Sequence, residues 1–356
     1  ARRAPRLLST FRSSMAAVRP MQLEVGLDGS TRPLAGTGTC SHVDCFKPAL
    51  QSRVHASGTV IMAVTNAGFA AFWHNLRCSL ERVGLAQHAL VVGTDRDACS
   101  AALAPGVYCL VGESLFWPEE AAAELDRRAV SHGTRPYARL MQVKARPTLE
   151  ALRLGFNVLT TDTDVVFLRD PLAHLAALSR DGEEPPHVLI QSDHDESNEA
   201  QCSSHAQCPR SHWCDEGAGR CAEEVCGGFH WMRAAPESIA LLGRMFDLFE
   251  QQRSGGDERT GEQPALNHAI RRTHGLRFRA LPRELYPNGA TFFSRGMRPP
   301  SAALPYAVHN NWIAGFEAKR RRFEEHALWL TRTTPDTSYT CVSTALHATP
   351  AGYTSE

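Results

Sequence analysis

LTTDTDVVFLRDP, residues 159–171, sets Asp162 and Asp164 one residue apart between apolar runs, and its reading decides the fold. An apolar, β-branched stretch that ends in carboxylates reads as a buried strand carrying charged groups to one rim of a sheet, since an unpaired charge inside the sheet is costly. Side chains alternate along a strand, so Asp162 and Asp164 share a side and Thr163 faces away. Close carboxylates raise one another's pKa unless a cation lies between them, and hard oxygen ligands suit Mn²⁺ or Mg²⁺. An ion pair with Arg169, or a turn interaction, is the alternative for the same residues.

The flanking sequence alternates strand and helix patterns. GTVIMAVTNAGF (58–69) reads as a buried strand, and Phe69, Phe72, Trp73, Leu76, Leu80 and Val83 then recur at helical spacing. HALVVGT and VYCLV follow as strands; YARLMQVKARPTLEALRLG reads as a helix kinked by Pro147 and ended by Gly155. Beyond the aspartates come the strands HVLIQSD, VCGGFHWMRA and YAVHNNW, with helices over SIALLGRMFDLFEQQ, EQPALNHAIRRTHG and EAKRRRFEEHALWL. This order predicts an α/β fold with a parallel sheet covered on both faces, binding ligands beyond the carboxyl ends of its strands. The domain is expected over residues 54–335, with 1–53 as a disordered or stem-like segment, 200–225 as a cysteine-rich insertion and 336–356 as a tail.

Two other Asp-x-Asp pairs compete. Asp95 precedes ACSAAL and reads as a helix cap, and Asp193 with Asp195 lies in DHDESNE, which reads as a solvated loop. The 38 basic and 38 acidic residues of the 356 cancel, which removes the electrostatic case for a nucleic-acid partner. No apolar run reaches the roughly 20 residues of a bilayer span. Arg2, Arg3, Arg6, Arg12 and Arg19 precede the first acid, Glu24, a pattern of transit peptides and of linkers that follow a trimmed anchor. Eleven cysteines, five of them between Cys202 and Cys226, point to an oxidising lumen. The cysteine-rich insertion is too poor in apolar residues for a core, so disulfides are expected to order it; interspersed His205 and His212 keep zinc open, although no CxxC pair is present.

TTDTDVVFLRDPL, GGFHWMRA, EQPALN, LYPNGATFF and VHNNWIAGFEAKRRRFEEHALW together resemble the nucleotide-diphospho-sugar transferase family of plants and green algae, glycosyltransferase family 77. The resemblance covers roughly residues 58–330 and implies a GT-A fold and retaining transfer of a sugar from a UDP-sugar donor to a hydroxyl acceptor. Family activities imply arabinose, xylose or galactose moved to a cell-wall glycan or hydroxyproline-rich glycoprotein in the Golgi lumen, by a protein whose anchor is absent from this chain. The same resemblance makes Asp162, Asp164 and His309 the metal ligands. It makes Lys319 and Gly315 phosphate contacts, with Asn310 beside them, and it makes Arg139 and Lys144 further donor contacts. Thr65 and Asn66, at the end of the first strand, fall where nucleosides are bound in such sheets. Gln263 and Asn267 share a helical face that would border the transferred sugar. Cys226, Gly227 and Gly228 stand where the family often has Asn-x-Gly, and Glu262 where Asp is commoner, which puts sugar or acceptor contacts from that turn in doubt.

No residue is identified as a covalent nucleophile, so the expected route is same-face transfer in which the leaving phosphate takes the acceptor's proton. TNAGFAAF lacks the GxGxxG of nicotinamide enzymes and no GxxxxGK[ST] is present. A binding module that keeps the fold without turnover is the alternative, and donor hydrolysis separates the two.

Overall fold

Strands and helices alternate from the amino end in the computed structural model, which describes residues 37–117, 134–181, 184–193, 213–215, 220–222, 224–254, 261–294, 304–334 and 338–342. The first half runs β1 (Gly38–Cys40), α1 (Val43–Arg53), β2 (Thr59–Thr65), α2 (Ala70–Arg82), β3 (Ala89–Gly93), α3 (Arg96–Ala102), β4 (Tyr108–Val111) and the single turn α4 (Gly112–Leu115). Then come α5 (Arg135–Lys144), α6 (Arg146–Arg153), β5 (Asn157–Thr161), β6 (Val165–Phe167), α7 (Leu172–Leu178) and β7 (Val188–Ser192). The rest comprises β8 (Trp213–Asp215), β9 (Arg220–Ala222), β10 (Val225–Met232), α8 (Pro236–Ser254), α9 (Glu262–Arg272), β11 (Phe278–Ala280), β12 (Ala307–His309), α10 (Phe316–Glu325), β13 (Thr331–Thr333) and β14 (Tyr339–Cys341).

Eight strands form one sheet in the order β1-β4-β3-β2-β5-β10-β7-β11. All its pairings are parallel except those of β10, which runs antiparallel to β5 and β7. This is the α/β, parallel-rich architecture that the alternation predicts. Continuous apolar strands are buried on both faces because helices cover both. Val60, Met62 and Val158 pack with residues of α1, α6, α8 and α9 on one face, and Ile61, Ala63 and Leu159 with residues of α2 and α3 on the other. A third cluster, around Phe72, Val166, Val308 and Phe323, fastens α10 and the β6–β12 pair beside α2.

The fold begins before the expected boundary at residue 54. β1 pairs with β4, Phe46 and Leu50 of α1 are core residues, and a Cys40–Cys45 disulfide ties the two elements. A three-residue strand and a helix holding Pro48 give no periodicity strong enough to read from sequence. The tail also contributes, since β14 pairs with β13 and Cys341 is bonded to Cys78 of α2. A third disulfide joins Cys99 to Cys109. The expected kinked helix is two helices, broken at Ala145 with Pro147 in the first turn of α6, where a missing N–H costs nothing. Asp95 caps α3 as expected, accepting from Ala98 N at 2.7 Å. In the insertion, β8 and β9 form a hairpin with Cys214 opposite Cys221; its disulfide and zinc expectations otherwise lie outside the described residues. Cys226, at its edge, is a free buried thiol. Among the described residues no helix is long and apolar enough to cross a membrane.

Candidate functional site

The chain leaves β2 for β3 and β4 on one side and reaches β5 on the other, so the crossover direction reverses between β2 and β5. A crevice opens beyond the carboxyl ends of strands at such a reversal. Thr65 and Asn66 end β2 there, and β5 stops at Thr161, leaving Asp162–Asp164 as a turn into β6. The Asp162 N–H donates to Gly228 O at 2.7 Å, and the Asn310 N–H to Asp164 O at 2.9 Å. β12 pairs antiparallel with β6, setting His309 opposite Val165, the neighbour of Asp164. Strand register, with no help from sequence proximity, thus brings His309 to the aspartates.

Ligand atoms of Asp162, Asp164 and His309 all lie within 4.8 Å of one another. His309 Nε2 is 3.7 Å from Asp162 Oδ2 and 3.4 Å from Asp164 Oδ1. On the other side of the ring, Nδ1 is 2.9 Å from Gln191 Oε1. The Gln191 amide nitrogen donates to Tyr286 O and Pro287 O at 3.1 and 3.0 Å, which orients its oxygen toward the imidazole. A neutral His309 therefore keeps its proton on Nδ1 and offers the Nε2 lone pair to the carboxylates' side, the arrangement of a metal-ligating histidine with its outer partner. Gly228 lies against the cluster: a Cβ there would stand 2.3 Å from His309 Cε1 and 2.6 Å from Asp162 Oδ2. Two carboxylates and an imidazole with its far nitrogen engaged fit Mn²⁺ or Mg²⁺.

Each aspartate also meets a lysine. Lys144 Nζ is 2.5 Å from Asp162 Oδ1 and 2.7 Å from Glu262 Oε2, and it donates to Gly227 O at 3.4 Å. Lys319 Nζ is 2.5 Å from Asp164 Oδ2. Burial alone would strip the proton from Lys144, yet Asp162 and Glu262 hold its pKa above the ordinary value. Burial pushes the Glu262 carboxyl up to about 7 against the pull of Lys144, with Asp162 adding to the rise, because one ammonium serves two carboxylates. Burial would also raise Asp164, but Lys319 and then His309 hold it well below the usual carboxylate range. Burial would lower His309, and Cys226 as a neutral thiol adds no charge, but the Asp164 carboxylate draws the ring's pKa upward, so without a cation Nε2 carries a proton that metal binding would displace.

A cleft open to solvent runs beside the pair, lined by Asn66, Phe69, Tyr137, Lys144, Asp164 and Lys319 among others. Thr65 lines it as well, and Asn66 Oδ1 also accepts from Phe69 N at 3.1 Å. Arg139, expected as a donor contact, lines a different cavity with Phe116, Trp117 and Arg146. The reason is helical phase: Tyr137, Leu140, Met141 and Lys144 share the face of α5 toward the cleft, and Arg139 lies on the other. Lys144 does reach the cleft, but its three N–H groups meet Asp162, Glu262 and Gly227 O, so it neutralises Asp162 and has none left for a phosphate. Asn310 is likewise committed, donating to Lys319 O at 2.8 Å and accepting from Arg322 Nε at 2.6 Å. At Gly315 no heavy atom crowds a Cβ; glycine is favoured there by φ 92° at the cap of α10.

Gln263 Nε2 donates to Asp193 Oδ2 at 2.7 Å, while Asn267 clamps Val225 by exchanging bonds of 3.0 and 2.9 Å with its backbone, at the irregularity in β10. Asp193 is therefore no solvated loop residue. Its Oδ1 also accepts from Asn311 Nδ2 at 2.8 Å and Trp312 Nε1 at 3.0 Å. The Cys226–Gly228 segment is at the centre of the site: Cys226 Sγ lies 3.4 Å from His309 Nδ1, and Gly228 abuts the Asp162–Asp164–His309 group. Sequence reasoning missed Gln191; its signal was a single amide inside the apolar strand HVLIQ.

Fold and cluster define a class: an α/β ligand-binding domain whose crevice, at the sheet's crossover reversal, carries a carboxylate–imidazole set able to hold a divalent cation. More narrowly, the chain belongs to the nucleotide-diphospho-sugar transferase family, whose sequence model matches residues 84–323. It is similar to a UDP-D-xylose:L-fucose alpha-1,3-D-xylosyltransferase of Arabidopsis thaliana, 24% identical over 285 residues that cover 78% of this chain and 71% of that protein. A UDP-galactose:fucoside alpha-3-galactosyltransferase of Dictyostelium discoideum is 25% identical over 214 residues, 56% of this chain but only 29% of that protein's length. The crystal structure of the galactosyltransferase LgtC with donor and acceptor sugar analogues aligns at 15% identity and a TM-score of 0.41, covering 70% of this chain and 86% of that one.

Proposed function

We propose that this chain is a metal-dependent retaining glycosyltransferase that moves a sugar of the xylose, arabinose or galactose class from a UDP-sugar to a hydroxyl of a glycan or glycoprotein. The observation that carries the reading is the convergence of Asp162, Asp164 and His309 within 4.8 Å beside the cleft at the crossover reversal. The named activities of the relatives, which use UDP-galactose and UDP-xylose, support the donor class. Three disulfides suit the oxidising lumen of the secretory pathway, and the Golgi is the compartment we favour.

Asp162, Asp164 and His309 would hold Mn²⁺ or Mg²⁺, which when bound neutralises a diphosphate and stabilises it as a leaving group. Asn66, Phe69 and Tyr137 give the nucleoside one polar and two aromatic contacts. Lys319 trades Asp164 for the diphosphate, putting its ammonium where negative charge grows as the bond breaks. Asp193 accepts three hydrogen bonds and Glu262 is buried against Lys144, so neither is presented as a nucleophile. The bond between the sugar's anomeric carbon and the diphosphate oxygen breaks, and the acceptor oxygen bonds to that carbon from the same face. The acceptor's proton passes to the departing phosphate oxygen, and Gln263 steadies the sugar.

The test offers purified protein UDP-xylose, UDP-arabinose and UDP-galactose with Mn²⁺ and measures UDP release. Release should occur with one donor, and EDTA or Asp164→Asn should cut it about 100-fold or more. Release indifferent to both overturns the assignment.

A further inference from the structure

Trp312 stands out among the large apolar residues described. Only Val43, Leu154 and Trp312 are exposed, and Trp312, at 51%, is the one beside the site. Its backbone is left-handed, φ 58°, a conformation L residues rarely adopt, and with Gly315 at φ 92° it makes a tight outward turn between β12 and α10. The indole is not loose. Its N–H donates to Asp193 Oδ1 at 3.0 Å, and the same carboxylate holds Asn311 and Gln263. One edge of the ring is thus tied down while half of the side chain stays in solvent.

The position is that of the far side of the transfer centre. Cys226 Sγ touches both His309 Nδ1, at 3.4 Å, and Asn311 Nδ2, at 3.6 Å, so Trp312 follows directly on the residues behind the imidazole. The cleft that Asp162 and Asp164 line includes neither His309 nor Trp312. A nucleoside has its aromatic contacts in Phe69 and Tyr137. What Trp312 offers is a flat apolar face rimmed by a carboxylate and two amides.

We propose that Trp312 is the platform for the acceptor, and that the acceptor presents a pyranose ring. A pyranose has an apolar face of axial C–H groups, which suits the negative face of an indole, and an equator of hydroxyls, which suits Asp193, Asn311 and Gln263. Asp193 is a positioning residue that orients the indole and ties it to Gln263, so one carboxylate links acceptor platform and sugar face. The proposal rests on the glycosyltransferase reading, and it adds the chemical class of the acceptor and the surface that selects it.

The test uses the full chain with UDP-xylose, UDP-arabinose and UDP-galactose in turn, Mn²⁺ and three soluble probes: methyl α-L-fucopyranoside, methyl β-D-galactopyranoside and methyl β-D-xylopyranoside. Trp312→Ala should raise the acceptor KM about tenfold or more, a loss on the scale of one good contact, while the donor KM moves less than about twofold. Trp312→Phe, which keeps an aromatic face, should recover most of the loss. An unchanged acceptor KM overturns the proposal, as does a parallel rise of both KM values, which marks a structural role. Saturation-transfer NMR with the same glycosides reads the contact without turnover: ring protons should receive saturation from the wild type and not from Trp312→Ala. A wild type that turns over no donor sinks the glycosyltransferase reading, and the NMR contact then decides alone; its absence in the wild type overturns the platform.

Discussion

Replacing Gly228 by alanine should break the candidate metal site with a single methyl group. Its backbone is not in the left-handed region, so alanine costs nothing in conformation and the whole effect is steric. The new Cβ would stand 2.3 Å from His309 Cε1, 2.9 Å from His309 Nε2 and 2.6 Å from Asp162 Oδ2. Relief to ordinary contact needs a shift of about 1 Å. The β10–β7 register is broken at this point, but the strand is still not free to supply the shift, because neighbouring Phe229 pairs with Thr161 of β5 and the Gly228 carbonyl accepts from Asp162 N, so moving the backbone moves the aspartate with it. The ring cannot easily retreat, since Gln191 and Cys226 stand behind Nδ1. Asp162 and His309 must therefore separate, and a 1 Å error in ligand placement costs about 10–100-fold in metal affinity. Overpacking adds about 1–3 kcal/mol of lost stability. Calorimetric titration with Mn²⁺ measures the first and urea denaturation the second. Gly227→Ala is the control, because its Cβ would meet only Glu262, at 3.3 Å; its Mn²⁺ affinity should change less than about threefold. Gly228→Ala binding Mn²⁺ within threefold of wild type would refute the reasoning.

Three further outcomes are expected. Folded Glu262 keeps its proton up to about 7 against an ordinary 4.5, so the folded state loses stability as pH rises through that window; denaturation of Glu262→Gln at pH 5 and pH 8 should show that slope reduced, by on the order of 3 kcal/mol. The Cys78–Cys341 disulfide closes a separation of 263 residues, and the double serine variant should lose about 2–5 kcal/mol in chemical denaturation. Gly243→Ala, inside α8 with no heavy atom within 4 Å of the new Cβ, should gain about 1 kcal/mol, read as a Tm raised by about 2 °C; an unchanged or lowered Tm contradicts the helix there.

Where sequence and structure agree, a local signal was strong. Continuous β-branched runs bounded by turns marked β2, β3, β5 and β7, and carboxylates following such a run marked the rim. His309 was found by resemblance and is placed by register, which no local pattern encodes. The misses have separate causes. Arg139 was lost by taking charge without phase, although counting from Tyr137 along α5 puts it on the wrong face. Lys144 lines the cleft as expected, but its engagement with Glu262, 118 residues away, left no trace in the local sequence. Asp193 looked solvated because its polar neighbours in sequence hid Gln263, Asn311 and Trp312, which come from other elements. β1 and α1 are too short and too weakly amphipathic to announce themselves; a disulfide and the edge of β4 hold them.

The two aspartates are one residue apart yet electrostatically unlike, and the difference gives the site a direction. Asp162 shares Lys144 with Glu262 on the sheet's interior side, where the ammonium is fully committed and buried. Asp164 faces Lys319, which is partly exposed, sits on α10 beyond a glycine cap and makes one bond to it. A cation entering between the carboxylates competes with both lysines, but only Lys319 has somewhere to go: the open cleft in which a diphosphate would lie. Lys144 stays to offset Glu262, whose burial would otherwise leave an uncompensated charge. On the proposed reading, a bound metal would free one ammonium on the side of the leaving group and leave the other as structure. Asp162 and Lys144 would then be the fixed wall of the site, and Asp164 and Lys319 its responsive one.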